Sequence, residues 1–524
     1  MTDNILPMQY QIPQANVDDA FKTVADTSLK VDAAVKESTE QKELSVILKE
    51  VLKIRTPFDF VKRHNAEIYR HLEDDKFPET LKESLRATIV KPDDETIAMY
   101  TAEIMKEDFD KLHYSIATIG DEAYIYDGSV WRLLPFKEAQ HFLSSYLKKS
   151  GLPKSKSESV STIDRYTRQL FFSLYTPVIV KKSDIALINT ANCTVEIDRN
   201  GNITQRNHSK EDYFYYVLPY EYDSGKDSPL FQKFLDEVLP TDIQRVVQEF
   251  FGTCFMRNLK HEKVLCNVGA GANGKSVLAG VVRFVLGIEN VSSYSINSIC
   301  DEKSTTRYNI NHKLLNYSTD FSGKIWNNGI FKQLASGEPV EARRLYHDPI
   351  ILTEYARLAF NSNFMPDSND TSSGFLRRLL LVEFNKTIPV DKRDPNLVNK
   401  LCQEAPGILN WMIEGLVRFI KNGFKFSDSA TLNSSMQAFQ DASDNVKAFM
   451  DSKSYKPGTS IKVKVRDLYD DYKNYCSAKS IKTFENMANF KVKLEGLHYQ
   501  IETGTNKKAT MVHLDQSSNI GNPF

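Results

Sequence analysis

Val264-Leu265-Cys266-Asn267-Val268-Gly269-Ala270-Gly271-Ala272-Asn273-Gly274-Lys275-Ser276-Val277 is the stretch that decides how this chain is read. Its first five residues are a short apolar run that predicts a buried strand. Gly269 to Ser276 then satisfy a phosphate-loop pattern, in which two glycines with four residues between them precede Lys and Ser. Glycines at 269, 271 and 274 let successive backbone N–H groups turn inward around phosphate oxygens, and Lys275 brings a cation to the β and γ oxygens. Ser276 is the expected Mg²⁺ ligand, with Asn273 and Val277 in the same nucleotide-contacting segment. Beyond it, Leu278, Val281, Val282, Val285 and Leu286 recur at helical spacing and stop at Gly287, so a helix aims its N-terminal dipole at the same anion. Strand, loop and helix in this order predict an α/β P-loop NTPase that takes ATP and Mg²⁺.

The bulk properties bound the rest. A chain of 524 residues is long enough for about three or four domains. Its 41% hydrophobic and 26% charged content is that of a globular protein. The net charge of −1 supplies no global basic field, so any nucleic-acid contact has to come from local patches. The six cysteines show no CxxC spacing, which argues against a zinc knuckle or a disulfide framework and for buried thiols in a reducing cytoplasm. No signal peptide and no membrane-length apolar run is apparent.

Four segments are expected. Residues 1–105 are a polar lead-in to about residue 45 and then a charge-rich helical region, with Leu44, Ile47, Leu48, Val51 and Leu52 on one face. Residues 106–227 read as a mixed α/β domain. In it Tyr124-Ile125-Tyr126-Asp127-Gly128-Ser129-Val130-Trp131 forms two strands around an Asp-Gly turn, and Arg199–Asn202 forms another turn. Gly151 to Ser161 reads as a mobile connector. Residues 228–425 hold two helices meeting at Pro240, the second with a capping box from Thr241 and Gln244, then the nucleotide-binding core and a closing helix from Gly407 to Lys421. Residues 440–524 form a separate small unit.

Further chemistry follows the loop in order. Lys313-Leu314-Leu315-Asn316-Tyr317-Ser318-Thr319-Asp320 predicts a second strand ending in an acid, placed beside the phosphate loop to hold Mg²⁺ and polarise water. A third strand, Arg357 to Asn363, ends in amides that either orient the attacking water, a role assigned first to Asn363, or terminate the strand through turn bonds. Arg377 and Arg378 precede a fourth strand; on a strand they point to opposite faces, so one at most serves as an arginine finger, and Arg378 is preferred. Between the second and third strands a helix stops at Gly337 and a hairpin follows. Lys332, Arg343, Arg344 and His347, with Tyr346 among them, suit a nucleic-acid backbone and occasional base stacking, or else a solvated basic face.

These motifs, in this order, resemble the superfamily 3 helicases, and within them the helicase part of the phage/plasmid primase–helicase family. The resemblance is carried by the GxGxNGKS form of the loop, KLLNYSTD, FKQLASGEPVEARRLY, AFNSNFMP and GFLRRLLLVEF, and it extends upstream through YIYDGSVW and INTANCTVEI. It implies an AAA+-like core, a hexameric ring with ATP between subunits, an arginine finger acting in trans, and residues 340–350 as a hairpin tracking one DNA strand with 3′→5′ travel. Bifunctional members of that family carry a large primase domain upstream; with no clustered acidic motif evident here, priming is not expected of this chain, and a separate primase is a candidate partner. Where family members often carry two adjacent acids, Thr319 precedes Asp320 here.

The C-terminal segment reads as a helix from Val465, a second from Phe484 to Leu494 with Lys491 and Lys493 exposed, and a hairpin whose tip carries Lys507 and Lys508. Helices followed by a β-wing predict a winged-helix-like module for DNA or for a protein partner. The whole predicts an ATP-dependent DNA helicase in the replication of a phage, plasmid or similar element. An ATP-regulated initiator or loader that melts DNA without processive unwinding is the alternative. A packaging motor would leave the hairpin unexplained.

Overall fold

The structure is a computed structural model, and it describes residues 43–177, 186–256, 262–318, 328–344, 348–363, 373–443, 445–479, 484–503 and 510–516. The expected polar lead-in, Asp320, His347, Lys507 and Lys508 lie outside the described residues. The chain is a mixed α/β protein with several sheets. It forms two compact units: residues up to Lys226 with 284–287 and 405–409, and the remainder from Asp227 onward.

In the first unit, β1 (Ser115–Ile119), β2 (Glu122–Tyr126) and β3 (Trp131–Leu134) form an antiparallel meander, and β4 (Tyr175–Thr176) runs parallel to β1. The Asp-Gly turn joins β2 to β3 as predicted. Asp127 Oδ1 accepts from Ser129 N at 2.8 Å and Val130 N at 2.9 Å, and Gly128 takes φ 103°, open to a residue without Cβ. Helices Asp94–Lys111, Phe136–Lys149 and Val160–Ser173 bury Met105, Phe109, Leu143, Tyr146 and Tyr166 in the core of this unit. The expected connector at Gly151–Ser161 is instead partly helical, over Lys154–Ser157. Its backbone is tied down by Ser144 Oγ, which donates to Ser157 O at 2.6 Å. A second antiparallel sheet holds β5 (Ala186–Asn189), β6 (Thr194–Ile197) and β7 (Ile203–Arg206), with Asp198 Oδ1 closing the predicted turn on the N–H groups of Asn200 and Asn202.

The second unit is built on five parallel strands: β8 (Val264–Val268), β9 (Val291–Ser292), β10 (Leu315–Ser318), β13 (Arg357–Ser362) and β14 (Leu379–Glu383). Between β10 and β13 the chain forms the hairpin β11 (Val340–Ala342) and β12 (Ile350–Leu352), paired antiparallel. The parallel order is β14-β8-β13-β10-β9. Strands covered on both faces read as near-continuous apolar runs, and β8, β10 and β13 are buried along their whole length. Val264, Cys266, Val268, Leu358, Phe360, Leu379 and Leu381 face one core with Phe331, Phe375 and Phe439.

Helices Pro229–Val238 and Thr241–Thr253 meet at Leu239-Pro240, but the predicted capping box is absent. Pro240 is the N-cap and Thr241 the first helical residue. The Gln244 amide donates instead to Asp236 Oδ1 at 3.1 Å and Leu239 O at 2.9 Å, bridging the two helices. The closing helix, Ala405–Lys421, crosses Thr241–Thr253 closely: a Cβ on Gly252 would lie 2.5 Å from Met412 O, and one on Gly415 2.5 Å from Gln248 O. Glu404 caps Pro229–Val238 from far along the chain, accepting from Leu230 N at 3.1 Å and Phe231 N at 2.9 Å.

Residues 445–516 carry helices Asn445–Ser452, Val465–Ala478 and Met487–Gly496 and a sheet of β15 (Tyr455–Lys464), β16 (Ile501–Thr503) and β17 (Thr510–Gln516) in the order β15-β17-β16. The last helix starts three residues later than predicted, at the Asn486 cap, whose side chain accepts from Asn489 N at 2.9 Å. β15 has no counterpart in the sequence reading. It is a largely exposed edge strand with lysines at 456, 462 and 464, and Asp515 holds its bulge by accepting from Thr459 N and Ser460 N.

Candidate functional site

The glycine loop leaves the C-terminal end of β8, whose neighbours β14 and β13 both come later in the chain. Strand order reverses there, and open parallel sheets bind ligands at such a switch point. Gly271 takes φ 105° and Gly274 φ 93°, while Ala272 is held in the left-handed region at φ 51° with its carbonyl accepting from Ile388 N at 2.8 Å. Gly269 is required by space: a Cβ there would stand 2.2 Å from Asn273 Nδ2 and 2.6 Å from Phe384 O. A Cβ on Gly274 would meet Val238 Cγ1 at 2.9 Å.

Lys275 opens the helix Lys275–Val285 and is buried. Its ammonium donates to Gly269 O at 2.6 Å and Asn273 Oδ1 at 3.0 Å, and Asn273 Nδ2 in turn donates to Phe384 O at 3.0 Å. Burial holds the Lys275 ammonium below the ordinary lysine value. Asn273 therefore braces the loop against the end of β14. Ser276 is exposed on the first helical turn and Val277 is half-buried. The residues fit a polyphosphate chemically, because a glycine cradle, a cation and a helix N-terminus converge. Among the described residues no group of three or more His, Cys, Asp and Glu could hold a metal ion by itself. A divalent cation bound here would take Ser276 and phosphate oxygens among its ligands.

At the strand ends, β13 lies directly beside β8, and β10, which leads toward Asp320, lies beyond it. Of the two amides, Asn363 is exposed just past β13, whereas Asn361 is buried. Asn361 Oδ1 lies 3.2 Å from both Tyr317 Oη and Asn267 Nδ2, and Asn361 Nδ2 is 3.4 Å from Lys275 O. Asn267 Nδ2 also donates to Tyr317 Oη at 2.7 Å, and Asn267 Oδ1 has no partner among the described residues. An unpaired buried acceptor costs about 1–3 kcal/mol. Sequence reasoning passed over Asn267 and Tyr317. For Asn267 the available signal was an amide inside an otherwise apolar strand; Tyr317 stands between Asn316 and Ser318 and gave none.

Arg378, the preferred finger, is buried, and its guanidinium donates to Ser336 Oγ at 3.2 and 3.0 Å and to Gly374 O. Arg377 is exposed, 3.0 Å from Glu262. On the hairpin side, Arg343 is exposed, Lys332 is half-buried, and the Arg344 guanidinium stacks over the Tyr308 ring at 4.8 Å. In the C-terminal unit Lys491 and Lys493 are half-buried rather than exposed, and Lys493 pairs with Glu485 at 3.0 Å. Among the described residues no helix is long and apolar enough to cross a membrane.

Comparison with known proteins gives two family matches. Residues 102–240 match a family described as D5 N terminal like, and residues 267–378 match a family of unknown function, DUF5906. Among solved structures, apo forms of the NrS-1 C-terminal region are similar at 9–10% identity. One covers 80% of this chain and 99% of that chain with a TM-score of 0.46, and another covers 81% and 100% with a TM-score of 0.43.

Proposed function

We propose that this chain is an ATP-dependent DNA helicase of the superfamily 3 type, acting as a ring, most simply a hexamer, in replication of a phage, plasmid or similar element. The observation that carries the reading is the glycine loop at the switch point of the parallel sheet, with Lys275 buried at its base and Ser276 exposed at the helix start. The match of residues 102–240 supports it, because that segment coincides with the domain that the family resemblance expects before the helicase.

In this reading the chain is a P-loop NTPase with an AAA+-like core. Backbone N–H groups of residues 269–276 bind the phosphates, and Lys275 exchanges Gly269 O and Asn273 Oδ1 for phosphate oxygens. Mg²⁺, held by Ser276, Asp320 and the phosphates, would neutralise charge building on the transferred group. Asp320 polarises the attacking water and Asn363 orients it. Arg377 reaches the neighbouring subunit's nucleotide, since it is the exposed member of the pair. Arg343, Arg344 and Lys332, with His347, present the β11–β12 hairpin to the backbone of a single strand. The C-terminal unit has the helices and β-wing of a winged helix, and Lys491, Lys493, Lys507 and Lys508 give it a DNA-facing charge.

Unwinding of a forked DNA with ATP and Mg²⁺ tests this. The native chain is expected to separate strands, and Lys275→Ala and Asp320→Ala to lose at least about 10²-fold in ATP turnover. ATP-dependent assembly on DNA without strand separation would establish the initiator alternative instead.

A further inference from the structure

We propose that the Tyr317 hydroxyl is a positioning group for the glycine loop: it sets the direction of the Asn361 amide, which ties β8, β10 and β13 to the carbonyl of Lys275. The kinetic consequence rests on the proposed ATP hydrolysis; the structural one does not.

The register makes the contact possible. Tyr317 pairs with Ala359 on β13, and Asn361 pairs with Asn267 on β8, so all four side chains project from one face. Ala359 is small, so the Tyr317 side chain can cross β13 and meet Asn267 on the strand beyond. Tyr317, Asn267 and Asn361 are all at least 96% buried, so water does not compete for their polar atoms.

Proton counting fixes the polarity. The Asn267 NH₂ donates to the Tyr317 oxygen at 2.7 Å, which leaves the single hydroxyl proton for Asn361 Oδ1 at 3.2 Å. Burial pushes the phenol far up, so it keeps that proton at any physiological pH. Asn361 Oδ1 also faces Asn267 Nδ2 at 3.2 Å, and with its oxygen so occupied the amide turns its NH₂ to Lys275 O at 3.4 Å. The two ends of an amide are almost the same shape, so hydrogen bonding, not packing, chooses between them. Lys275 is thereby held at its carbonyl as well as at its ammonium.

The test uses the full chain with Tyr317→Phe and Asn361→Asp. Asn361→Asp keeps an oxygen for Tyr317 but sets another against the Lys275 carbonyl. In the nucleotide-free chain, Tyr317→Phe is expected to speed amide exchange at residues 269–278 by about fivefold or more, without a comparable change in residues 445–516. In ATP hydrolysis, each variant is expected to lower kcat by about tenfold with KM within about twofold, and the double variant to be little worse than Asn361→Asp alone. Native exchange and native kcat in Tyr317→Phe would overturn the proposal. So would multiplicative effects in the double variant, or a loss that merely tracks the unfolded fraction. If the native chain does not hydrolyse ATP, the functional reading fails, and the exchange comparison still decides the role of the hydroxyl.

Discussion

The parallel-sheet region around Lys275 and the C-terminal unit of residues 445–516 are held together differently. The first buries charged and amide groups throughout: Glu249, Asn267, Lys275, Arg307, Asn316, Arg357, Asn361 and Arg378. Nearly all are matched. Asn316 accepts from Ser292 Oγ and Tyr294 N and donates to Tyr294 O, all at 2.9 Å, and Arg307 donates to Ile299 O and Glu341 O at 2.7 Å. The second has a core of Val446, Phe449, Leu468, Tyr472, Phe490, Leu494, Val512 and Leu514. Among its described residues no charged or amide side chain is buried. Burying polar groups gains little net energy over apolar packing but fixes geometry, because each donor needs its own acceptor. The region with matched polar groups is the one whose strand ends must hold several side chains in register.

The largest expected effect comes from breaking an ion pair whose carboxylate is buried. Glu249 has no exposed surface and accepts from Arg418 Nε at 2.6 Å and Ser427 N at 2.7 Å. Arg418→Ala should cost about 3–5 kcal/mol in urea unfolding, because it leaves a buried carboxylate without its counter-charge, with Ser427 still donating to it. A cost below about 1 kcal/mol would mean that the polar contacts do not hold this region. Leu494→Ala should cost about 2–4 kcal/mol in the C-terminal unit while leaving amide exchange in β8 native. If β8 loosened as well, the two regions would not be separable. Gly269→Ala should cost about 1–3 kcal/mol, since its Cβ meets the Phe384 carbonyl, and it should weaken nucleotide binding measured by calorimetry.

The smallest effect is in pH. The Lys275 ammonium titrates below the ordinary lysine value of 10.5 in the folded chain, through burial. Between that lowered value and 10.5 the unfolded chain binds the extra proton, so the stability linked to this group rises with pH. The melting temperature of the native chain relative to Lys275→Met should therefore climb by roughly 1–3 °C as alkalinity rises through that window. A flat difference would mean that the ammonium is as well solvated folded as unfolded.

Much of the site was legible in advance. The strand before Gly269, the helix after Lys275, the Asp127-Gly128 turn and the helix stop at Gly337 all stand where the sequence puts them. What was missed depends on distant partners. β15 escaped because an exposed edge strand buries few side chains and shows little apolar period. The capping box failed because Gln244 finds better acceptors on the preceding helix. The burial of Arg378 was not foreseen, because Ser336, which helps hold it, lies 42 residues away in the chain.

By itself, the sequence determined where the backbone bends and what chemistry stands at the bend. Positive φ at Gly271 and Gly274 is a property of single residues, and the 3.6-residue period of the helix after them is a property of one segment. Only the tertiary structure decided that β13 lies between β8 and β10, that Arg378 turns inward, and that Tyr317 reaches Asn267 and Asn361. Strand order and burial arise from contacts between residues far apart in the chain, and no local pattern encodes them.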